Sequence, residues 1–326
     1  MSIDWRPFVE IVNEHQSFVL TSHMRPDCDA IGSELALAYA LESLGKQVRV
    51  VNGDAVPPHI AFIDPRQDVH VLGRDVVAED VAPDVFIVVD TSAWSQLGPM
   101  AEVVRNSSAR KVVIDHHASG DDMGAIVFKD TSAEAAGRLI LAAIDALGAP
   151  VTPDVATALF TAIATDTGWF RFNSVTALTF AAVGRLVHSG ARPAAVFAEL
   201  YEQNSLARLR LQGRILTNTR TELGGRLIYS TATPQDLAET GAEPTDTEDV
   251  VNRLLGVAGV EVGLLFLELG PQETKVSFRS RTAVDVRRIA EQLGGGGHAA
   301  AAGVRYPGPL EPAIEAVLNV VRTALE

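Results

Sequence analysis

Short apolar runs alternate with amphipathic segments of helical length through the first half of the chain. The apolar runs with the length of strands are residues 17–20, 47–51, 84–90 and 111–114. The segments with helical spacing are residues 35–44, 133–147, 153–164 and 176–189. Strands that alternate with helices are typical of a parallel sheet flanked by helices, so the pattern predicts an α/β domain over residues 1–190.

The pattern changes after residue 190. Residues 193–216 are helical, rich in Arg and Gln, and carry no strand signal, which is typical of a connecting helix. Further strand and helix patterns then mix: strands at 226–231, 260–269 and 274–279, and helices at 246–255, 284–293 and 309–324. We therefore predict a helical linker at 191–216 and a smaller mixed-sheet α/β domain at 217–326, with the active site in the cleft between the domains.

Composition and charge narrow the class of protein. The 326 residues are 47% hydrophobic and 21% charged, which indicates globular domains. No apolar run approaches the roughly 20 residues that span a bilayer, and the first residues lack a signal-peptide pattern, so we expect a cytoplasmic protein without membrane contact. The single cysteine, Cys28, excludes an intrachain disulfide. A net charge of −14 opposes binding of long nucleic acid, so a nucleic-acid substrate should be short.

Candidate chemistry begins with Asp115, His116 and His117, which follow the apolar run 111–114. In an open α/β sheet the ligand crevice lies outside the carboxyl ends of the strands, so this cluster is placed where chemistry is expected. Asp90 also follows an apolar run, although a lone Asp there is as often a cap or a surface residue.

Two further clusters lie near helix ends. His23, Asp27 and Asp29 occupy a predicted strand-to-helix turn, where Asp29 could instead be an N-cap and Asp27 a turn residue. Asp166 ends a predicted helix, where a carboxylate opposes the helix dipole and calls for a cation.

These residues form a thiol-free set of candidate metal ligands: His23, Asp27, Asp29, Asp90, His116 and Asp166. Carboxylates with imidazoles favour two Mn²⁺ ions, with Mg²⁺ as the alternative, and we expect Asp90 to bridge them. Two ions about 3.5 to 4 Å apart activate water for attack on phosphorus, which predicts phosphoester hydrolysis.

Asp90, Asp115 and His117 are the candidate catalytic residues. Neighbours on an extended segment point to opposite sides, so we expect His117 to contact the phosphate or protonate the leaving group while His116 binds metal. Asp115 should orient an imidazole. The alternative for His117 is a hydrogen-bonded core histidine.

The second domain offers a candidate phosphate clamp. A glycine run lets the backbone approach an anion, and a strand that ends in arginines lies nearby. The clamp residues are Arg279, Ser280, Arg281, Gly295, Gly296, Gly297 and His298. The alternatives are a flexible linker for the glycines and surface charges for the arginines.

Taken in order, the motifs at Ser22–Ser33, Asp90, Asp115–His117, Asp166–Gly168 and Gly295–Gly303 resemble those of the DHH phosphoesterases that carry a DHHA1 domain. The chain is most similar to the bifunctional oligoribonuclease and phosphoadenosine-phosphate phosphatase group, often called nanoRNases. The resemblance implies Mn²⁺-dependent release of mononucleotides from very short RNA or DNA oligonucleotides and dephosphorylation of 3'-phosphoadenosine 5'-phosphate (pAp). In some members it implies hydrolysis of cyclic or linear dinucleotides. It also implies that the second domain binds the far end of the substrate.

Two positions depart from the family pattern: Ala299-Ala300 where a basic or polar residue is common, and Trp169 where a smaller residue is usual. RecJ-type exonucleases need additional DNA-binding modules, and family II pyrophosphatases a basic motif, neither of which is present here. A non-catalytic nucleotide-binding regulator predicts a broken ligand set, and every ligand is in place. The oligomeric state stays open, a homodimer included.

Overall fold

The computed structural model describes residues 3–281 and 283–325 and divides the chain into two compact units, Met1–Gln203 and Asn204–Glu326. Each unit has its own sheet and its own buried core. Within the described residues, no helix combines the length and the apolar character needed to cross a membrane.

The first unit is built on a parallel sheet, as predicted. Its strands are β1 (Ser17–Thr21), β2 (Gln47–Asn52), β3 (Val69–Val71), β4 (Val85–Val89), β5 (Arg110–Asp115) and β6 (Ile126–Lys129). They lie in the order β3-β2-β1-β4-β5-β6, with every neighbouring pair parallel. The strand order reverses between β1 and β4, and a crevice opens at the carboxyl ends of strands at such a point.

Helices cover both faces of this sheet. They are α1 (Arg6–Glu14), α2 (Cys28–Ser43), α3 (Met100–Asn106), α4 (Ala136–Leu147), α5 (Pro153–Asp166), α6 (Ala177–His188) and α7 (Pro193–Tyr201). On one face the core includes Leu35 and Phe160, and on the other it includes Phe86 and Met100, all buried. The apolar strands therefore read as continuous runs because they are buried from both sides.

Helix α2 positions the site. Its N-cap is Asp27, whose Oδ1 accepts hydrogen bonds from the N–H groups of Asp29 and Ala30. The helix packs closely against α5, because a Cβ at Gly32 would lie 2.5 Å from the carbonyl oxygen of Ala158. This close approach brings the start of α2 beside the end of α5.

The second unit contains a mixed sheet, as predicted. Its strands are β7 (Arg220–Glu222), β8 (Leu227–Ala232), β9 (Val262–Gly270), β10 (Glu273–Ser280), β11 (Gly296–His298) and β12 (Ala301–Pro307). They lie in the order β11-β12-β10-β9-β8-β7, where only the β8–β9 pair is parallel within the described part. The helices are α8 (Leu206–Thr217), α9 (Pro234–Thr240), α10 (Val250–Leu254), α11 (Val286–Gln292) and α12 (Leu310–Leu325).

One prediction about local structure was wrong. The single connecting helix over residues 193–216 is two helices, because α7 ends at Tyr201 and the hydroxyl of Ser205 caps a new helix by accepting from the N–H of Arg208. Within the glycine run, for which a flexible linker was the alternative to a phosphate clamp, Gly296–His298 forms β11 and pairs with β12. The domain boundaries expected at 190/191 and 216/217 stay predictions.

Candidate active site

The carboxyl ends of β1, β4 and β5 meet the start of α2 and the end of α5. This junction brings all the predicted metal ligands together in two adjoining groups: His23, Asp27 and Asp90, and Asp29, His116 and Asp166. The ligands come from five separate elements. The site therefore exists only because of the fold.

The first group, which we call the His23 half, includes His23, which follows the carboxyl end of β1. The Nε2 atom of His23 lies 3.4 Å from Oδ2 of Asp90 and 3.9 Å from Oδ1 of Asp27. The side chain of Asp27 is 62% exposed, whereas that of Asp90 is 2% exposed. This half is open to solvent on the Asp27 side.

The second group, the His116 half, is more enclosed. The Nε2 atom of His116 lies 3.8 Å from Oδ2 of Asp29, 3.6 Å from Oδ2 of Asp166 and 3.4 Å from Oδ1 of Asp90. The side chain of Asp29 is 2% exposed. Three carboxylates thus surround one imidazole nitrogen.

Asp90 belongs to both halves. Its Oδ2 atom faces His23 and its Oδ1 atom faces His116. The residue follows β4 in the left-handed backbone conformation, with φ of 61°, and its N–H donates to the carbonyl of Ile114 on β5. The buried Oδ1 atom accepts no hydrogen bond from the described residues. A bridging carboxylate would have this arrangement, with one oxygen for each ion.

The backbone at the start of α4 holds Asp29 in place. Its Oδ2 accepts from the N–H of Ala136 at 2.7 Å, and its Oδ1 accepts from the N–H of Gly137 at 2.9 Å. These are groups of a helix N-terminus, which favours a negative charge. The side chain is therefore fixed before any ligand binds.

Backbone carbonyls set the tautomers of the two ligand histidines. Nδ1 of His23 lies 2.9 Å from the carbonyl oxygen of Met24, and Nδ1 of His116 lies 3.2 Å from that of Ala133. A carbonyl only accepts, so Nδ1–H donates in both cases. Both Nε2 atoms consequently present their lone pairs to the site when the imidazoles are neutral.

The electrostatics of the cluster call for cations. Burial raises the pKa of Asp29 well above its usual value, and the charges of Asp90 and Asp166 add to the effect. Burial likewise raises the pKa of Asp166 to about 6. Burial alone would lower the pKa of His23 and of His116, but the carboxylate of Asp90 beside both imidazoles outweighs it and raises both to about 9.

The donor set and the orphaned Oδ1 atom of Asp90 fit a pair of divalent ions. Oxygen donors with imidazole nitrogens suit Mn²⁺ or Mg²⁺ better than a metal that prefers thiolates. In the metal-free protein, protons on the histidines relieve part of the crowding of negative charge, and metal ions would replace them.

Asp115 is fully buried and orients His117. Its Oδ1 accepts from the backbone N–H of His117 at 3.0 Å and from the ring Nδ1 at 2.9 Å. Its Oδ2 accepts from the hydroxyl of Ser92 at 2.6 Å and lies 2.9 Å from Nζ of Lys129. The His117 side chain is 51% exposed. Asp115 therefore holds the half-exposed imidazole, and Nε2 is the ring nitrogen left for other contacts.

A cavity of about 520 Å³ adjoins the His23 half and His117. Its other walls are short polar segments that follow β4 and β5, residues 91–96 and 119–121. The predicted clamp residues lie in the other unit.

In that unit, β12 links the two parts of the predicted clamp. Arg279 on β10 and His298 on β11 both pair with Ala301 of β12. The guanidinium of Arg279 donates to the side chain of Asn252, and that of Arg281 donates to the carbonyl of Leu255. Arg279 and His298 are thus aligned across the sheet, on either side of Ala301.

The remaining clamp residues are placed less uniformly. Ser280 is buried, and its N–H donates to the carbonyl of Ala300. Gly295 precedes β11, where a Cβ would lie 2.3 Å from the carbonyl oxygen of Gly303. Gly296 and Gly297 form β11 with His298. The missing side chain at Gly295 therefore permits close strand packing, which is a structural role and not a ligand contact.

Two residues that support the site were not identified from the sequence. Lys129 and Ser92 both bind Asp115, and neither was singled out. Lys129 ends β6, which pairs in register with β5 so that Asp115 lies opposite Lys129. The available signal was the short apolar run 126–128 followed by a charged residue, the same pattern that marked Asp90 and Asp115.

Comparison with known families gives two matches. The model of the DHH family N-terminal domain matches residues 17–163, and the DHHA1 domain model matches residues 224–326. The chain is 34% identical over 312 residues to the bifunctional oligoribonuclease and PAP phosphatase NrnA of Thermus thermophilus, which is 94% of this chain and 89% of the relative. It is also 24% identical over 311 residues to the cyclic-di-AMP phosphodiesterase PdeA of Listeria monocytogenes, covering 89% of this chain and 44% of that one.

Solved structures share the fold. The crystal structure of an exopolyphosphatase-related protein from Bacteroides fragilis is 25% identical with a TM-score of 0.84, covering 98% of this chain and 95% of that chain. An exonuclease RecJ bound to manganese has a TM-score of 0.55 at 17% identity, covering 100% of this chain and 96% of that chain.

Proposed function

The chain belongs to the DHH family with a C-terminal DHHA1 domain, and from this premise we propose that it is a metal-dependent phosphoesterase of very short nucleotides. Its proposed reactions are cleavage of dinucleotides and slightly longer oligonucleotides to mononucleotides and conversion of pAp to AMP. The name of the Thermus thermophilus relative contains both activities. The observation that carries the proposal is Asp90, which directs one buried carboxylate oxygen to each of two histidines.

We assign the His23 half and the His116 half one Mn²⁺ each, with Mg²⁺ as the alternative. Bound there, the ions would supply Lewis acidity toward the phosphate and activate the attacking water. Asp90 would contact both ions, and the other ligands would each contact one.

His117 is the proposed proton donor. Its Nδ1–H donates to Asp115, so Nε2 can carry a proton toward the oxygen that leaves phosphorus. Water adds to phosphorus and releases one proton to solvent, the P–O ester bond breaks, and the His117 proton passes to the leaving oxygen. The hydrogen bond to Asp115 raises the pKa of His117, which favours the protonated form that this step needs.

The size of the substrate follows from charge and from the second unit. A net charge of −14 opposes a long polyanion. We propose that Arg279 and His298 bind the far phosphate of a short substrate, because a guanidinium and an imidazole are suitable partners for a terminal phosphate. Binding of substrate between the two domains and assembly as a homodimer stay predictions.

A substrate panel tests the proposal. Purified protein with Mn²⁺ should hydrolyse linear diadenylate and pAp, while a His117→Asn preparation made in the same way should be slower by about 100-fold and so exclude a contaminant. Consumption of pyrophosphate alone would contradict the proposal. Faster turnover of cyclic di-AMP than of diadenylate would favour the second candidate, for which the likeness to PdeA is the supporting observation. No turnover of any substrate would favour a nucleotide-binding regulator.

A further inference from the structure

A buried polar network lies behind the His23 half, and the proposed reaction leaves it unused. It consists of Glu34, Asn52 and the end of β1 at Thr21 and Ser22, which we call the buried bracket. Nδ2 of Asn52 donates to Oε2 of Glu34 at 2.9 Å. Oδ1 of Asn52 accepts from the N–H of Ser22 at 3.0 Å and from the hydroxyl of Thr21 at 3.3 Å. Glu34 and Asn52 are 0% and 1% exposed.

The buried bracket joins three elements. Asn52 ends β2, Glu34 lies on α2, and Ser22 directly precedes His23 at the end of β1. The same helix α2 starts at the Asp27 cap. The chain of hydrogen bonds therefore links the backbone that carries His23 to the helix that carries Asp27, through buried side chains that solvent does not reach.

A glutamate is a costly choice at this position. The neighbouring buried positions of α2, such as Leu35 and Leu37, are apolar and fully buried. Burial raises the pKa of Glu34 to about 8, against the hydrogen bond from Asn52. An apolar side chain would avoid the cost of burying a carboxyl group, so packing alone does not account for Glu34.

Two ligands of the His116 half have contacts of their own outside this network. They are held by other contacts: Asp29 by the N–H groups of Ala136 and Gly137, and His116 by the carbonyl of Ala133. In the His23 half, by contrast, Nδ1 of His23 donates to the carbonyl of the adjacent Met24. Its position therefore depends on the backbone at the end of β1.

We propose that Glu34 and Asn52 are positioning residues that set the metal affinity of the His23 half. The inference rests on the proposed function, because it assumes that this half binds a metal ion. The pair acts through the backbone of Ser22, which it holds at the distance from α2 where Nε2 of His23 and the Asp27 carboxylate can share one ion.

Titration of the metal-free protein with Mn²⁺ by calorimetry tests this without measuring catalysis. Wild type should bind two ions. Glu34→Leu removes the acceptor for Asn52 with little change in volume, and it should weaken one of the two ions by about 10- to 100-fold while the other is unchanged. Glu34→Gln keeps an oxygen that accepts from Asn52, and it should restore the affinity to within about threefold of wild type.

Leu37→Ala is the matched control, since Leu37 is a fully buried residue on the same helix outside the network. It should lower the melting temperature and leave both Mn²⁺ affinities intact. If Glu34→Leu does not fold, Asn52→Ala should show the same selective loss.

The outcomes separate the two proposals. Two ions bound by Glu34→Leu or Asn52→Ala with wild-type affinity would overturn the inference, as would an equal loss in Leu37→Ala. Failure of wild type to bind two ions would instead overturn the proposed function.

Discussion

The two halves of the candidate metal centre are built differently. In the His23 half, two of the ligands are four residues apart in the sequence, and the Asp27 side chain is mostly exposed. In the His116 half, the ligands come from α2, α5 and the segment after β5, and helix N–H groups hold the buried Asp29. A site assembled from distant, buried groups is fixed before binding, so we expect the His116 half to bind its ion more tightly.

The largest expected effect comes from Asp29→Asn. Loss of this carboxylate should weaken the tighter ion by more than about 100-fold, beyond the range expected for an outer partner. In the metal-free protein the same change relieves the repulsion from Asp90 and Asp166 but leaves one oxygen for the two N–H groups of Ala136 and Gly137, so the melting temperature with Mn²⁺ is compared with that of the same protein without metal. Mn²⁺ should then raise the melting temperature of wild type more than that of the variant.

The control for Asp29→Asn is Asp64→Asn. Asp64 is also a buried carboxylate that accepts two backbone N–H bonds, from Asp68 and Val69, but it lies outside the candidate ligand groups. This variant should bind Mn²⁺ as wild type does. If Asp29→Asn also keeps both affinities, the His116 half is not the tighter site.

The pH dependence of Mn²⁺ binding gives the next largest effect. The pKa of both His23 and His116 is raised to about 9 in the metal-free protein, so both carry protons near neutrality. Metal binding must displace these protons, and affinity therefore falls as pH falls below about 9, by about tenfold per unit for each displaced proton. Protonation of Asp166, with its pKa of about 6, should weaken the His116 half further in acid.

Calorimetry in two buffers with different ionisation enthalpies measures this directly. At about pH 7.5 the two ions together should release about two protons. Binding without proton release would show that the histidines are not ligands.

The smallest expected effect is that of Asp27→Asn. Asn is as good an N-cap as Asp, so α2 should keep its start and the protein its stability. Because Asp27 is exposed, its loss should weaken only the looser ion, by about tenfold. The matched control is Asp285→Asn, another N-cap that accepts from two backbone N–H groups, in the second unit. An equal loss in both ions would mean that the two halves are not distinct.

The comparison also shows what could be predicted from sequence. Polar residues that directly follow apolar runs, such as Asp90 and Asp115, were identified because parallel strands end at one edge of the sheet. The parallel first sheet and the mixed second sheet were predicted from periodicity. The short strands β3 and β6 were not predicted, because three or four residues give too little periodic signal.

The residues that support the site were not predictable in the same way. Lys129 reaches Asp115 only because β6 pairs with β5, and Asn52 reaches Glu34 only because β2 lies against α2. These contacts join positions 14 and 18 residues apart across different elements, and no local pattern in the sequence shows which two positions meet. Buried polar partners therefore became visible only with the fold.

The central claim is that the Asp90 carboxylate serves both halves, and Asp90→Asn tests it most directly. Mn²⁺ titration and diadenylate hydrolysis should be measured on the same preparation of the variant and of wild type. We predict that both ions weaken together, unlike in any variant of a single half, and that turnover falls by about 100-fold or more. Two ions bound at wild-type affinity with unchanged turnover would contradict the account.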